Sequence, residues 1–108
     1  MSRDTEESRK GYALFQLELT DRDRYLNEYV PPTVETIEAH GGRVLVSTDA
    51  PQVLEGEWTF DRTVLIEFPS VEDARAWYTD ETYEEVSQIR HDITGVENAV
   101  IVPGLAPE

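Results

Sequence analysis

The 108-residue chain contains no cysteine, so it has no disulfide framework, no thiolate nucleophile and no thiolate metal site. It is poor in basic residues, with 9 Lys and Arg against 23 Asp and Glu, a formal net charge of −14. That sign repels phosphate backbones and anionic lipid, so nucleic acid and membrane surfaces are not expected partners. No apolar run reaches the ~18 residues a spanning helix needs, and Met1 to Lys10 has no apolar signal core. A cytoplasmic location is the expectation. The acids are scattered rather than collected in a tail, as on a solvated face. Such a surface suits a salt-rich, halophilic cytoplasm, where screening relieves self-repulsion; an ordinary acidic protein is the alternative. No Gly-rich phosphate loop and no Gly-x-Ser-x-Gly nucleophile motif is present. The two histidines fit no ligand spacing, so neither a metal nor a cofactor is expected.

What is there is organised around residues 62–78. Thr63 to Phe68 is a β-branched, apolar run of strand length. Pro69 ends it, and Ser70 caps a helix with Asp73 at its third position. Ala74, Trp77 and Tyr78 recur at helical spacing. Glu67 is the exception, a carboxylate inside an apolar strand.

The other elements follow by period. Residues 1–9 have nothing to bury and read as a flexible leader, residues 10–104 as one domain and 105–108 as a tail. Gly11 to Leu19 reads as a strand with Ala13, Phe15, Leu17 and Leu19 on one face and Tyr12, Leu14, Gln16 and Glu18 on the other. Thr20 or Asp21 caps a helix that buries Tyr25, Leu26, Tyr29 and Val30. Pro31 and Pro32 interrupt it, and a second segment carries Val34, Ile37 and Ala39 to a stop at Gly41-Gly42. In the strand from Arg43 to Ser47, Val44 and Val46 point one way and Arg43, Leu45 and Ser47 the other. Val53 to Glu55 reads as a short hairpin arm. Asp80 caps a further helix with Tyr83, Val86, Ile89 and Ile93 inward; Gly95 ends it, and Asn98 to Val102 is the last strand.

This order predicts an α+β, ferredoxin-like βαββαβ fold, an antiparallel sheet with helices on one face. The other face carries Leu14, Leu45, Leu65 and either Val100 or Ile101, too apolar to stay wet. A twofold partner covering it predicts a homodimer with a barrel-like cavity between two sheets.

The fragments His40-Gly41-Gly42-Arg43, Val53-Leu54-Glu55-Gly56, Trp58, Ile66-Glu67-Phe68-Pro69-Ser70, Ala74-Arg75-Ala76-Trp77-Tyr78 and Tyr83 resemble, in order and spacing, the uncharacterised family called domain of unknown function 1330. The resemblance spans roughly residues 10–103. It implies the dimeric α/β barrel fold, whose superfamily includes cofactor-free monooxygenases, chlorite-dismutase-like haem proteins, muconolactone-isomerase-like enzymes and stress-responsive barrels. The fold thus leaves the chemistry open.

Glu67 shares a strand face with Thr63 and Leu65, and desolvation there is expected to raise its pKa towards that of a general base. An ion pair with Arg43 or Arg62 is the structural alternative. His40, beside the glycine turn, could move a proton or hold a substrate acid, or simply cap helix carbonyls. Arg43 could clamp a substrate carboxylate. Tyr12, Gln16 and Trp58 are placed at the cavity mouth, with Trp58 also a candidate dimer anchor. His91, Trp77, Tyr78 and Tyr83 are read as surface, core or interface. Three functions remain open: a cofactor-independent enzyme moving a proton on a small organic molecule, a non-catalytic metabolite-binding or stress-associated dimer, and a filled structural barrel.

Overall fold

A computed structural model describes residues 9–106, so the predicted leader, Arg9 apart, and the last two residues of the predicted tail lie outside the described residues. Four strands form one antiparallel sheet: β1 (Gly11–Leu19), β2 (Arg43–Thr48), β3 (Arg62–Phe68) and β4 (Thr94–Pro103), in the order β2-β3-β1-β4. That is the ferredoxin-like arrangement the periodicity predicts. Helices α1 (Arg22–Arg24), α2 (Val30–Ala39), α3 (Val71–Tyr78) and α4 (Glu81–Asp92) make the second layer. The Cα envelope is only 17 Å deep, one sheet and one layer of helices.

The core lies between them. Ala13, Phe15 and Leu17 of β1 and Val64, Ile66 and Phe68 of β3 are buried, as alternation requires. Trp77 is the hub: its ring lies 6.0 Å from Phe15, 5.4 Å from Phe68 and 4.2 Å from Tyr83, and its indole N–H donates to Thr36 Oγ1 at 3.0 Å. Ser70 caps α3 as expected, its Oγ accepting from Asp73 N at 3.0 Å. Asp80 caps α4, accepting from Thr82 N at 2.7 Å. Gly41, at φ 77°, takes the left-handed conformation that closes α2.

The structure departs from the pattern in several places. First, Pro31 and Pro32 do not break the helix. Tyr25–Tyr29 forms a π-helical turn between α1 and α2, with Val30 N–H reaching back to Tyr25 O. This wider turn changes the hydrogen-bond register just before the prolines, so both fit in the first turn of α2, where their missing donors cost little. It also turns Leu26 outward, while Tyr25 and Tyr29 stack inside at 5.4 Å.

Second, α2 buries Thr33 and Thr36 beside Ile37, whereas Ala39 is exposed. Third, a β-bulge at Leu45 shifts the register of β2. Val44 keeps Ile66 as its partner on the helix side, but Val46 faces Leu65 on the open side and Ser47 pairs with Val64. The extra residue reverses the alternation beyond it. Fourth, residues 49–61 contain no strand, so the Val53–Glu55 arm is absent. Gly95 is also not a helix stop; α4 ends at Asp92 and Gly95 lies within β4, which pairs with β1 as far as Leu19↔Thr94.

Fifth, the inward face of α4 includes Ser87 and Arg90 with Tyr83, while Val86 and Ile89 are half-buried. Arg90 is 2% exposed. Its Nη1 donates to Glu97 Oε1, and its guanidinium lies 5.2 Å from the Phe15 ring centroid. No described helix is long and apolar enough to cross a membrane.

Candidate functional site

The open face of the sheet carries the strongest polar cluster. Tyr12 on β1, Glu67 on β3 and Arg43 on β2 occupy one rung, since Tyr12 pairs with Glu67 and Glu67 with Arg43. Residues in register on neighbouring strands project from the same face, so a carboxylate in the middle strand is reached from both sides. Tyr12 Oη donates to Glu67 Oε2 at 3.1 Å, and Arg43 Nε donates to Oε1 at 3.1 Å. The Tyr12 ring is seated against Gly104, where a side chain would collide with it, and Gly104 N–H donates to Lys10 O at 2.8 Å.

The electrostatics reverse one expectation. Burial is the largest single influence on Glu67 and raises its pKa, but the hydrogen bonds from Arg43 and Tyr12 and the charges of Arg43 and Lys10 together outweigh it. The carboxyl is therefore held below its ordinary value. Tyr12 is shifted up, first by desolvation and then by the Glu67 carboxylate it donates to. The Glu67 side chain is 15% exposed and that of Arg43 72%. Arg43 therefore holds the carboxylate through Nε while the rest of its guanidinium faces outward.

Around this triad the face is apolar. Leu14 and Leu65 are opposite one another, and Val100 and Val102 follow on β4 opposite Leu14 and Tyr12. Val46, Val100 and Val102 are 39%, 51% and 41% exposed, a contiguous apolar surface uncommon on a soluble monomer. Val100, not Ile101, belongs to this face; Ile101 pairs with Ala13 on the helix side. Gln16 pairs with Thr63, whose buried hydroxyl has no hydrogen-bond partner among the described residues.

Two of the expected site residues lie elsewhere. The His40 ring faces Asp80 Oδ2 at 2.9 Å, in the helix layer and apart from the triad. That contact lowers the Asp80 pKa, with the Thr82 backbone bond adding to it. Trp58 packs edge-on against Phe60 at 5.8 Å in the loop before β3 and borders a hollow with Val53 and Leu54. The structure thus joins Glu67, Arg43 and Tyr12, puts Gln16 further along the same face, and separates His40 and Trp58. Lys10, one residue before β1, adds its charge to the electrostatics of the triad, and nothing in the sequence pattern signals it.

With this geometry in view, comparison with known proteins is informative. The model for the domain of unknown function DUF1330 matches residues 10–105. The chain belongs to the DUF1330 family. No curated protein matches it. Among solved structures it is similar to a protein of unknown function from Rhodopseudomonas palustris, with a TM-score of 0.76 at 18% identity, covering 97% of this chain and 89% of that one. It is also similar to a dimeric ferredoxin-like protein of unknown function from Bacteroides fragilis, with a TM-score of 0.52 at 16% identity over 86% and 94% of the two chains. An EthD family protein from Bacillus halodurans aligns with a TM-score of 0.63 at 12% identity over 90% and 99%. At these identities the DUF1330 chain shares a fold with all three, and its chemistry must be argued from its own residues.

Proposed function

We propose that this DUF1330 protein is a homodimer whose two open sheet faces close a barrel-like cavity. In it the Tyr12–Glu67–Arg43 triad moves a proton on a small carboxylate-bearing organic molecule without a cofactor. The observation that carries this reading is a carboxylate on an apolar face, bound on one side by an outward-facing arginine and on the other by a phenol. The dimeric description of the Bacteroides fragilis neighbour supports the assembly.

The causes of the Glu67 shift suggest how a substrate would prime its own base. In the resting triad Arg43 keeps Glu67 a weak base. A substrate carboxylate that draws the guanidinium to itself removes the strongest hydrogen bond and charge holding the pKa down. Desolvation is then opposed only by Tyr12 and Lys10, and the Glu67 pKa rises towards the range of a useful base. Tyr12 remains as a donor to the carboxylate or to a developing oxyanion. Binding and activation are thus one event, with the acid group of the substrate as the key.

The test is native mass spectrometry at high ionic strength, followed by a panel of small hydroxy-, keto- and aromatic acids. A dimer is expected. Glu67→Gln should retain acid binding and lose turnover, while Arg43→Gln should lose binding. If the wild-type protein binds an acid and returns it unchanged, as Glu67→Gln does, the triad belongs to a metabolite-binding dimer instead. A monomer at all concentrations would sink the cavity altogether.

A further inference from the structure

We infer that each protomer holds a second binding site, inside its own two layers, for a neutral and largely apolar molecule of about benzene size bearing one hydrogen-bonding group. The site is a cavity of about 170 Å³ on the helix side of the sheet, between the π-helical turn with α2 and strands β1, β3 and β2. Its walls include Phe15, Tyr29, Ile37, Val64 and Ile66, and it is overwhelmingly apolar. An apolar protein cavity of about 150 Å³ is known to stay dry and to take up benzene or xenon, so the volume fits a ring of six to eight heavy atoms.

Three observations point to a ligand site rather than to a packing defect. Thr33 is 6% exposed, lines this cavity, and its hydroxyl has no hydrogen-bond partner among the described residues. Buried hydroxyls are rarely left unpaired, because the loss of water then goes uncompensated. The cavity is also built by two irregularities. The π-helical turn carries Tyr25 and Tyr29 into the wall, and the bulge at Leu45 keeps Val44 and turns Ser47 to the cavity side. Such turns and bulges recur at functional sites. Finally, the cavity has an entrance. Val44 and Ser47 line it from the edge strand β2, and both are exposed.

The lining selects the ligand class. It holds no charged residue, so an ion would lose its hydration without compensation. Tyr29 Oη is already bound to Tyr83 Oη and the Tyr25 phenol is engaged by Arg62, which leaves the Thr33 hydroxyl as the unpaired buried group able to orient a guest. A phenol, a small cyclic ketone or a small alcohol meets both demands. The site is independent of the dimer cavity, which lies across the sheet.

Phenol and toluene, equal in size and differing in one hydroxyl, are the probes. Binding is read from methyl NMR shifts of Ile37, Ile66 and Val64 on the full chain. Both should bind, with shifts centred on these residues. Thr33→Val should weaken phenol about 3- to 10-fold and leave toluene unchanged, the range expected for one neutral hydrogen bond. Val34→Phe should abolish both by filling the space; Val44→Phe at the exposed mouth does the same without loading the core. Glu67→Gln should change neither affinity. No binding by either probe, equal phenol affinity in Thr33→Val, unchanged binding in Val44→Phe, or a loss in Glu67→Gln would each overturn the assignment.

Discussion

Tyr12 and Glu67 are register partners on adjacent strands, and the phenol of one donates to the carboxylate of the other at 3.1 Å. The bond is made across the sheet, so it depends on the pairing of β1 with β3 and on little else. Arg43 reaches the same carboxylate only because β2 pairs with β3 in register at that rung, before the bulge at Leu45 disturbs it.

Arg43 should control the titration of Glu67. Arg43→Gln removes the leading downward influence and leaves burial, so the Glu67 pKa should rise above its wild-type value. The side-chain carboxyl carbon of Glu67, followed by NMR against pH, reports this directly. A pKa that stays put or falls would mean that Arg43 is not its electrostatic partner in solution.

The same shift has a consequence for stability. A carboxyl whose folded pKa lies below its ordinary 4.5 binds protons more readily when unfolded. Its contribution is complete above that ordinary value and is lost as pH falls through the lower folded value. The stability difference between wild type and Glu67→Gln should therefore shrink as the pH drops below about 4.5. Urea midpoints at a series of pH values measure it; a difference that grows on acidification would give the shift the opposite sign.

Much of this architecture is legible in the sequence because it is local. Ser70 with Asp73, and Asp80 before a helical period, are capping chemistry within one turn. The alternation in β1 and β3 writes the buried face directly into Ala13, Phe15, Leu17, Val64, Ile66 and Phe68. What is not legible is set by neighbours. The π-helical turn lets Pro31 and Pro32 sit inside a continuous helical stretch, a change of hydrogen-bond register with no residue signature. The bulge at Leu45 reverses Val46 and Ser47, and only pairing with Leu65 and Val64 fixes it. Among the site residues, the apolar strand singles out Glu67. The identity of its partners requires the register, and His40 is drawn instead to Asp80, distant in sequence. Arg90 illustrates the limit of type-based burial: it stands seven positions after Tyr83, on the inward face, yet charged residues are rarely assigned there.

The Arg90–Glu97 pair should be sensitive to loss of its acid. The guanidinium side chain is 3% exposed, Glu97 is 26% exposed, and Nε and Nη2 of Arg90 have no hydrogen-bond acceptor among the described residues. Burial draws the Arg90 pKa down, but Tyr83, Tyr29 and Glu97 outweigh it, so the side chain stays charged. Glu97→Gln leaves that buried charge without its counter-ion and should cost about 2 kcal/mol, less than a fully buried pair because Glu97 is partly solvated. Denaturant unfolding measures it; no change in midpoint would show that solvent already compensates Arg90.

Tyr29 Oη and Tyr83 Oη lie 2.5 Å apart in the core, and Tyr29 → Phe leaves the Tyr83 hydroxyl short of a partner there. The loss should be about 1–2 kcal/mol, the cost of a buried polar group left unpaired. The double variant Tyr29→Phe with Tyr83→Phe should cost less than the sum of the two single changes, because it leaves neither hydroxyl stranded. Additive costs would mean that the two hydroxyls do not depend on each other.

The open sheet face supplies the last prediction. Leu14, Leu65, Val46 and Val100 form an apolar surface that the helices of the same chain do not cover. Leu65→Glu places a carboxylate on that face, which in the proposed dimer would meet its own copy across a twofold axis. Two buried like charges, each without a counter-ion, oppose association strongly, whereas in the protomer the new side chain can remain in water. The parent protein should run as a dimer by analytical ultracentrifugation, and the variant as a folded monomer with wild-type circular dichroism under the same conditions. Salt adds an internal control. With a net charge of −14, the parent dimer should tighten as ionic strength rises from about 0.1 M to about 1 M, since screening shortens the reach of protomer repulsion from ~10 Å to ~3 Å. The apolar face is indifferent to that screening, so a dimer that loosens in salt would have to be held by ion pairs at some other surface.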